Sequence, residues 1–139
     1  AAAVLGFPLT LACPAGFSPD TAILERARVR SPRPILVLRD PAEAIRGADV
    51  VNVDVWASMG MEAEQERRLV LFSSYQLDSE LLARAREDAI VLHCLPAHRG
   101  EEITDEVLEG ERSVVFDQAE NKMHIHKAIL ESFLAGRSR

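Results

Sequence analysis

The sequence has only two cysteines in 139 residues. Cys13 and Cys94 stand far apart and form no C-x-x-C pair, which argues against a disulfide framework and for a reducing compartment, the cytoplasm by default or an organelle matrix. No apolar run approaches the ~18 residues that a membrane-crossing helix needs. Basic residues form no stripe, and the formal net charge is −6, so the clustered Lys and Arg that neutralise nucleic-acid phosphates are missing. The G-x-G-x-x-G fingerprint is absent too, which argues against a self-contained dinucleotide domain. The histidines, His93, His98, His124 and His126, follow neither H-x-x-x-H nor H-E-x-x-H spacing, so no metal is expected; no cofactor is expected either. There is no internal repeat, low-complexity tract or long linker.

What remains is an ordinary globular balance of 47% apolar and 27% charged residues, in a chain about one domain long. The opening Ala1 to Gly6 is too short and lacks the basic flank of a secretory signal; it reads as the end of a helix from a longer chain. Strands are expected at residues 7–13, 35–38, 49–55, 89–92 and 113–116, the fourth buried on both faces. Between them, Ser18 and Pro19 open a helix to Arg30, Asp40 and Pro41 open a short one closed by Gly47, and a third runs from Met61 to Leu71 with a Glu64–Arg68 pair. Leu77, Leu81, Leu82 and Ala85 form a helical stripe, Thr104 caps another short helix, and a last helix spans 119–134 with Ile125, Ala128, Ile129 and Phe133 on one side. Strand and helix alternate five times without a hairpin signal. That pattern predicts an α/β fold: an open, mostly parallel, Rossmann-like sheet of about five strands with helices on both faces.

In such a sheet, ligands bind at the carboxyl ends of the strands, and three of these ends carry polar chemistry. The fourth strand runs into His93-Cys94-Leu95-Pro96-Ala97-His98-Arg99-Gly100. Cys94 reads either as a small buried hydrophobe or as a site thiol; His93, its strand neighbour, points to the opposite face and makes a poor catalytic dyad with it. His98 and Arg99 fit a solvated turn as well as a site. The third strand ends in Asp54 and then Ser58-Met59-Gly60, which fits turn chemistry or an amino-acid clamp, with Asp54 taking an ammonium group and helix-start N–H groups a carboxylate. Lys122, after Asp117-Gln118-Ala119-Glu120-Asn121, is a surface first-turn lysine or an anion binder.

Taken together, three of these segments resemble the ornithine-binding half of the ornithine carbamoyltransferases. Asp54 to Gly60 matches that family's D-x-x-x-S-M-G loop, His93 to Gly100 its H-C-L-P-A-H-R-G signature, and Phe116 to Asn121 the segment before its last helix. The resemblance implies that Asp54 and Ser58 hold the α-amino group of ornithine and that the Met59 backbone orients its carboxylate. Cys94 and the Leu95 carbonyl would face the δ-amine, with Asp54 and Cys94 as the catalytic pair. That amine would attack carbamoyl phosphate to give citrulline and phosphate, with Cys94 positioning it and no covalent thioester. Lys122 stands where the family has an Arg that contacts carbamoyl phosphate, which keeps the charge and loses the planar two-pronged donor. The family's amino-terminal carbamoyl-phosphate domain with its S-x-R-T-R loop, and its D-G-N-N segment, are not in this sequence. The chain alone is therefore expected to be inactive, and the full-length enzyme to be a homotrimer of arginine biosynthesis or the urea cycle, binding neither nucleic acid nor membrane. Carbamoyl transfer to putrescine or N-acetylornithine, or a non-catalytic ligand-binding remnant, are the alternatives.

Overall fold

A computed structural model describes residues 1–57 and 62–135. Its elements alternate as expected: β1 (Leu9–Ala12), β2 (Ile35–Leu38), β3 (Val50–Val53) and β4 (Ile90–His93), with helices α1 (Ala2–Leu5), α2 (Thr21–Arg30), α3 (Pro41–Ala44), α4 (Glu62–Phe72), α5 (Ser79–Leu82), α6 (Asp105–Leu108) and α7 (Val115–Leu134) around them. Among the described residues the strands pair in parallel, β1 with β2 and β3 with β4. The α/β class stands; the described strands number four, in two pairs.

Local chemistry explains most of the boundaries. The Asp40 carboxylate accepts from the Ala42 N–H at 2.8 Å, and Pro41 occupies a position where no amide hydrogen is needed. Gly47 follows this turn at φ 68°, which a side-chain-bearing residue rarely adopts. In α2 the cap is Asp20, which accepts from Ile23 N at 2.9 Å, and not the expected Ser18. Ser18 instead accepts from Arg39, whose guanidinium also reaches the carbonyls of Cys13 and Pro14 and so ties together the ends of β1 and β2.

Four further expectations change. The stretch 113–116 is not a fifth strand: only Ser113 bridges to Val91, and α7 begins at Val115, four residues earlier than its polar sequence suggests. β-branched residues favour strands, but Val115 is fully buried against the core and tertiary packing decides its conformation. The Leu77 to Ala85 stripe is not one helix; α5 is a single turn, and Leu77 bridges to Ile103. β4 is not buried on both faces, because Ile90 is 38% exposed while Val91 and His93 are at 0%. Thr104 does precede α6, yet its hydroxyl is buried without a hydrogen-bond partner among the described residues and does not cap.

The core gathers Ile45, Leu77, Leu82, Val91, Ile103, Val107, Leu108 and Val115. An aromatic cluster of Phe17, Trp56, Phe72 and Tyr75 lies beside the loop after β3, and Arg68 stacks on the Phe17 ring while donating to the Trp56 carbonyl at 2.9 Å. Arg68 also pairs with Glu64 at 3.2 Å, as the i,i+4 spacing predicts. By contrast, Ile125, Ile129, Leu130 and Phe133 of α7 are 46% to 82% exposed, so the apolar stripe of the last helix packs on no core among the described residues. No helix of the described residues is long and apolar enough to cross a membrane.

Candidate functional site at the carboxyl ends of β3 and β4

The register of β3 against β4 builds the site. Val53 lies opposite His93, so the next residues, Asp54 and Cys94, are brought side by side where the strands end. Side chains alternate along a strand, and this pair therefore points away from the face that His93 enters. The Cys94 thiol donates to Asp54 Oδ1 at 3.2 Å, and the same oxygen accepts from the Val55 N–H at 2.9 Å. Cys94 is exposed and so is not the small buried hydrophobe of the alternative reading; partial desolvation and, next, the hydrogen bond and negative charge of Asp54 push its thiol above the ordinary pKa, with Lys122 acting in the opposite sense. Cys94 is accordingly a neutral thiol at physiological pH. It is a donor and a wall of the site, and a poor nucleophile.

An open cavity of about 390 Å³ lies against it, lined by Cys94, Gln118, Ala119, Asn121, Lys122 and Ile125. Lys122 belongs to α7 and sits two turns in from Val115, deeper in the helix than the expected first turn, with its charge beside the thiol. The sequence-predicted Asp54, Cys94 and Lys122 thus converge. Leu95 follows with φ 53°, a left-handed conformation that costs a branched side chain about 1–2 kcal/mol, and the bond from Leu95 to Pro96 is cis. Ser58 and Met59 lie outside the described residues.

Beneath this surface, His93 and Glu102 form a buried pair, both at 0% exposure. His93 Nδ1 accepts the Leu95 N–H at 2.9 Å, which leaves its proton on Nε2, and Nε2 donates to Glu102 Oε1 at 3.1 Å. The same Oε1 accepts from the His98 backbone N–H at 2.6 Å, while Gln118 accepts from the His93 backbone at 2.9 Å. These bonds hold the Leu95 backbone in its left-handed conformation and brace the turn that carries Cys94. Glu102 and Gln118 are the site residues sequence reasoning missed. Glu102 sits in a charged run that reads as solvated, and only its later position against His93 reveals it. Arg99 does not face the site; it pairs with Asp105 and Glu109. His124 pairs with Glu120 at 3.4 Å on the exposed side of α7.

An acid and a thiol side by side at the ends of neighbouring parallel strands, with a lysine lining the adjoining cavity, place a candidate small-molecule site where open α/β sheets bind their ligands. Residues 1–133 match the family described as aspartate/ornithine carbamoyltransferase, Asp/Orn binding domain. The ornithine carbamoyltransferase of Desulfotalea psychrophila is 64% identical over 134 residues, covering 96% of this chain and 44% of that protein. Among solved structures, ornithine carbamoyltransferase from Pyrococcus furiosus superposes with a TM-score of 0.87 at 43% identity over 93% of this chain and 42% of that one. An N-acetyl-L-ornithine transcarbamylase superposes with a TM-score of 0.78 at 28% identity, over 93% of this chain and 41% of that one. The chain belongs to the Asp/Orn-binding domain family of the aspartate/ornithine carbamoyltransferases. It spans about 44% of the length of the curated relatives it matches.

Proposed function

We propose that this chain is the amino-acid-binding part of an ornithine carbamoyltransferase, and that the juxtaposition of Asp54 and Cys94 at 3.2 Å carries that reading. The Asp54 carboxylate pairs with the α-ammonium of ornithine, assisted by Ser58, and the Met59 backbone orients the α-carboxylate. The δ-amine lies against Cys94 Sγ and the Leu95 carbonyl. A free alkyl ammonium has a pKa near ~10.4, so the site must favour the neutral amine as well as align it, and a neutral thiol beside a carbonyl acceptor suits that task. The amine nitrogen then bonds to the carbonyl carbon of carbamoyl phosphate, the carbon–oxygen bond to phosphate breaks, phosphate leaves with the electron pair, and the amine loses a proton. Lys122 supplies positive charge to the phosphate side as a point donor, where a guanidinium would grip two oxygens.

The complete protein supplies the carbamoyl-phosphate half, works in the cytoplasm in arginine metabolism and assembles as a homotrimer. The exposed apolar stripe of α7 supports a further covering element, since about 44% of a relative's length is accounted for here. Ornithine is favoured over its relatives by the stronger likeness: 43% identity to an ornithine enzyme against 28% to the N-acetylornithine one. Steady-state kinetics of the complete enzyme with ornithine, putrescine and N-acetylornithine test the assignment. Carbamoylation of ornithine at least about a hundredfold more efficiently than of the others supports it, and a preference for either rival overturns it.

A further inference from the structure

We propose that His98, Glu101 and Glu102 form a binding site for a divalent first-row transition-metal ion of the zinc class, separate from the amine site. Ligand atoms of the three side chains lie within 4.8 Å of one another. The second and independent observation is Glu102 itself. Its carboxylate is fully buried, and Oε1 is saturated by His93 Nε2 and the His98 N–H, but Oε2 has no hydrogen-bond partner among the described residues. A buried carboxylate oxygen with unused lone pairs is costly unless something electropositive meets it.

That oxygen faces His98 Nδ1 at 3.6 Å, too far for a hydrogen bond. The separation suits a metal between them: with bonds of ~2.0–2.2 Å, two donors of a tetrahedral ion stand ~3.3–3.6 Å apart. Glu101 is half-buried on the same turn and supplies the third ligand by a side-chain rotation. Its backbone is already fixed, because Gln76 donates to the carbonyls of Gly100 and Glu101, both at 2.6 Å, and Glu101 N–H bonds the His98 carbonyl at 3.0 Å. The His98 side chain is 46% exposed and leaves a path for the ion to enter. Among the described residues, only His93 and His98 stand within ion-pair distance of Glu102; Arg99 is engaged by Asp105 and Glu109.

One imidazole and two carboxylates suit zinc or cobalt better than calcium or magnesium, which take all-oxygen shells, and three protein ligands leave one position for water. The bond from His93 Nε2–H to Oε1 orients the liganding carboxylate from behind, as metal-binding carboxylates require. Because His93 also holds Leu95, an ion on Oε2 stiffens the turn behind Cys94.

Cobalt(II) titration of the complete protein, followed by visible absorption and by zinc competition, tests the site. The expected result is one saturable ligand-field band without a thiolate charge-transfer band, displaced by zinc, and weakened about tenfold or more by H98Q and by E101Q. His98 is exposed and Glu101 half-buried, and far-UV circular dichroism checks that both substitutions leave the fold in place. C94S leaves the band unchanged. Absence of a saturable band, unaltered binding in H98Q and E101Q, or a thiolate band that C94S abolishes would overturn the proposal.

Discussion

Glu102→Ala is the most informative stability perturbation. Glu102 Oε1 is the acceptor for two donors, His93 Nε2–H at 3.1 Å and His98 N–H at 2.6 Å, and both Glu102 and His93 are at 0% exposure. Hydrogen bonds to a charged group contribute about 1.5–3 kcal/mol each, and a buried donor that loses its acceptor costs about 1–3 kcal/mol; removing Glu102 strands two such donors, the neutral His93 ring N–H and the His98 N–H. A loss of about 2–6 kcal/mol follows from the two donors together, a large part of the ~5–15 kcal/mol that holds a domain folded. Glu102→Gln keeps one oxygen to receive both donors and should cost only about 1–2 kcal/mol. Urea unfolding reads both: the midpoint should fall much further for alanine than for glutamine, with the slope unchanged. An alanine variant within about 1 kcal/mol of the parent would refute the claim that this pair braces the turn beneath the site.

Gly110→Ala should destabilise by about 1–3 kcal/mol, read from the thermal midpoint, because a Cβ there would stand 2.7 Å from the Glu106 carbonyl oxygen, a backbone atom that cannot rotate away. Alkylation of Cys94 by iodoacetamide should be slow at neutral pH and quicken only in alkaline solution, since burial and the neighbouring Asp54 raise its pKa. Asp54→Asn removes a charge that opposes the thiolate, so the alkylation profile should move to lower pH, whereas Lys122→Gln removes a charge that favours it and should move the profile up; shifts of the reverse sign would contradict the electrostatics. The 139-residue chain by itself should form negligible citrulline from ornithine and carbamoyl phosphate in a colorimetric assay, and measurable turnover would show that the site is self-sufficient.

Polar residues at strand ends were the legible part of the site. Ile35 to Leu38 and Asp40-Pro41 carry their own instructions in β-branched content and capping chemistry, and the structure follows them residue for residue. Asp54 and Cys94 could be placed at strand ends, but only the β3–β4 register shows that they are partners. Where long-range packing decides, local pattern misleads. Ser113 to Phe116 has strand composition and yields one bridge and a helix start, because Val115 packs into the core at the head of α7. Glu102 was invisible for the same reason: a second glutamate in Glu101-Glu102-Ile103 becomes a buried acceptor only through a histidine nine residues away. The stripe of Ile125, Ile129 and Phe133 was correctly periodic, yet no part of the described chain buries it.

Asp54→Asn in the complete enzyme tests the central claim most directly. Asparagine keeps the shape and one acceptor oxygen but cannot form the ion pair with an α-ammonium group, an interaction of ~2–5 kcal/mol when shielded from water. kcat/KM for ornithine should fall about thirtyfold or more, while KM for carbamoyl phosphate changes little. An Asp54→Asn enzyme that carbamoylates ornithine within about threefold of the parent would contradict the account.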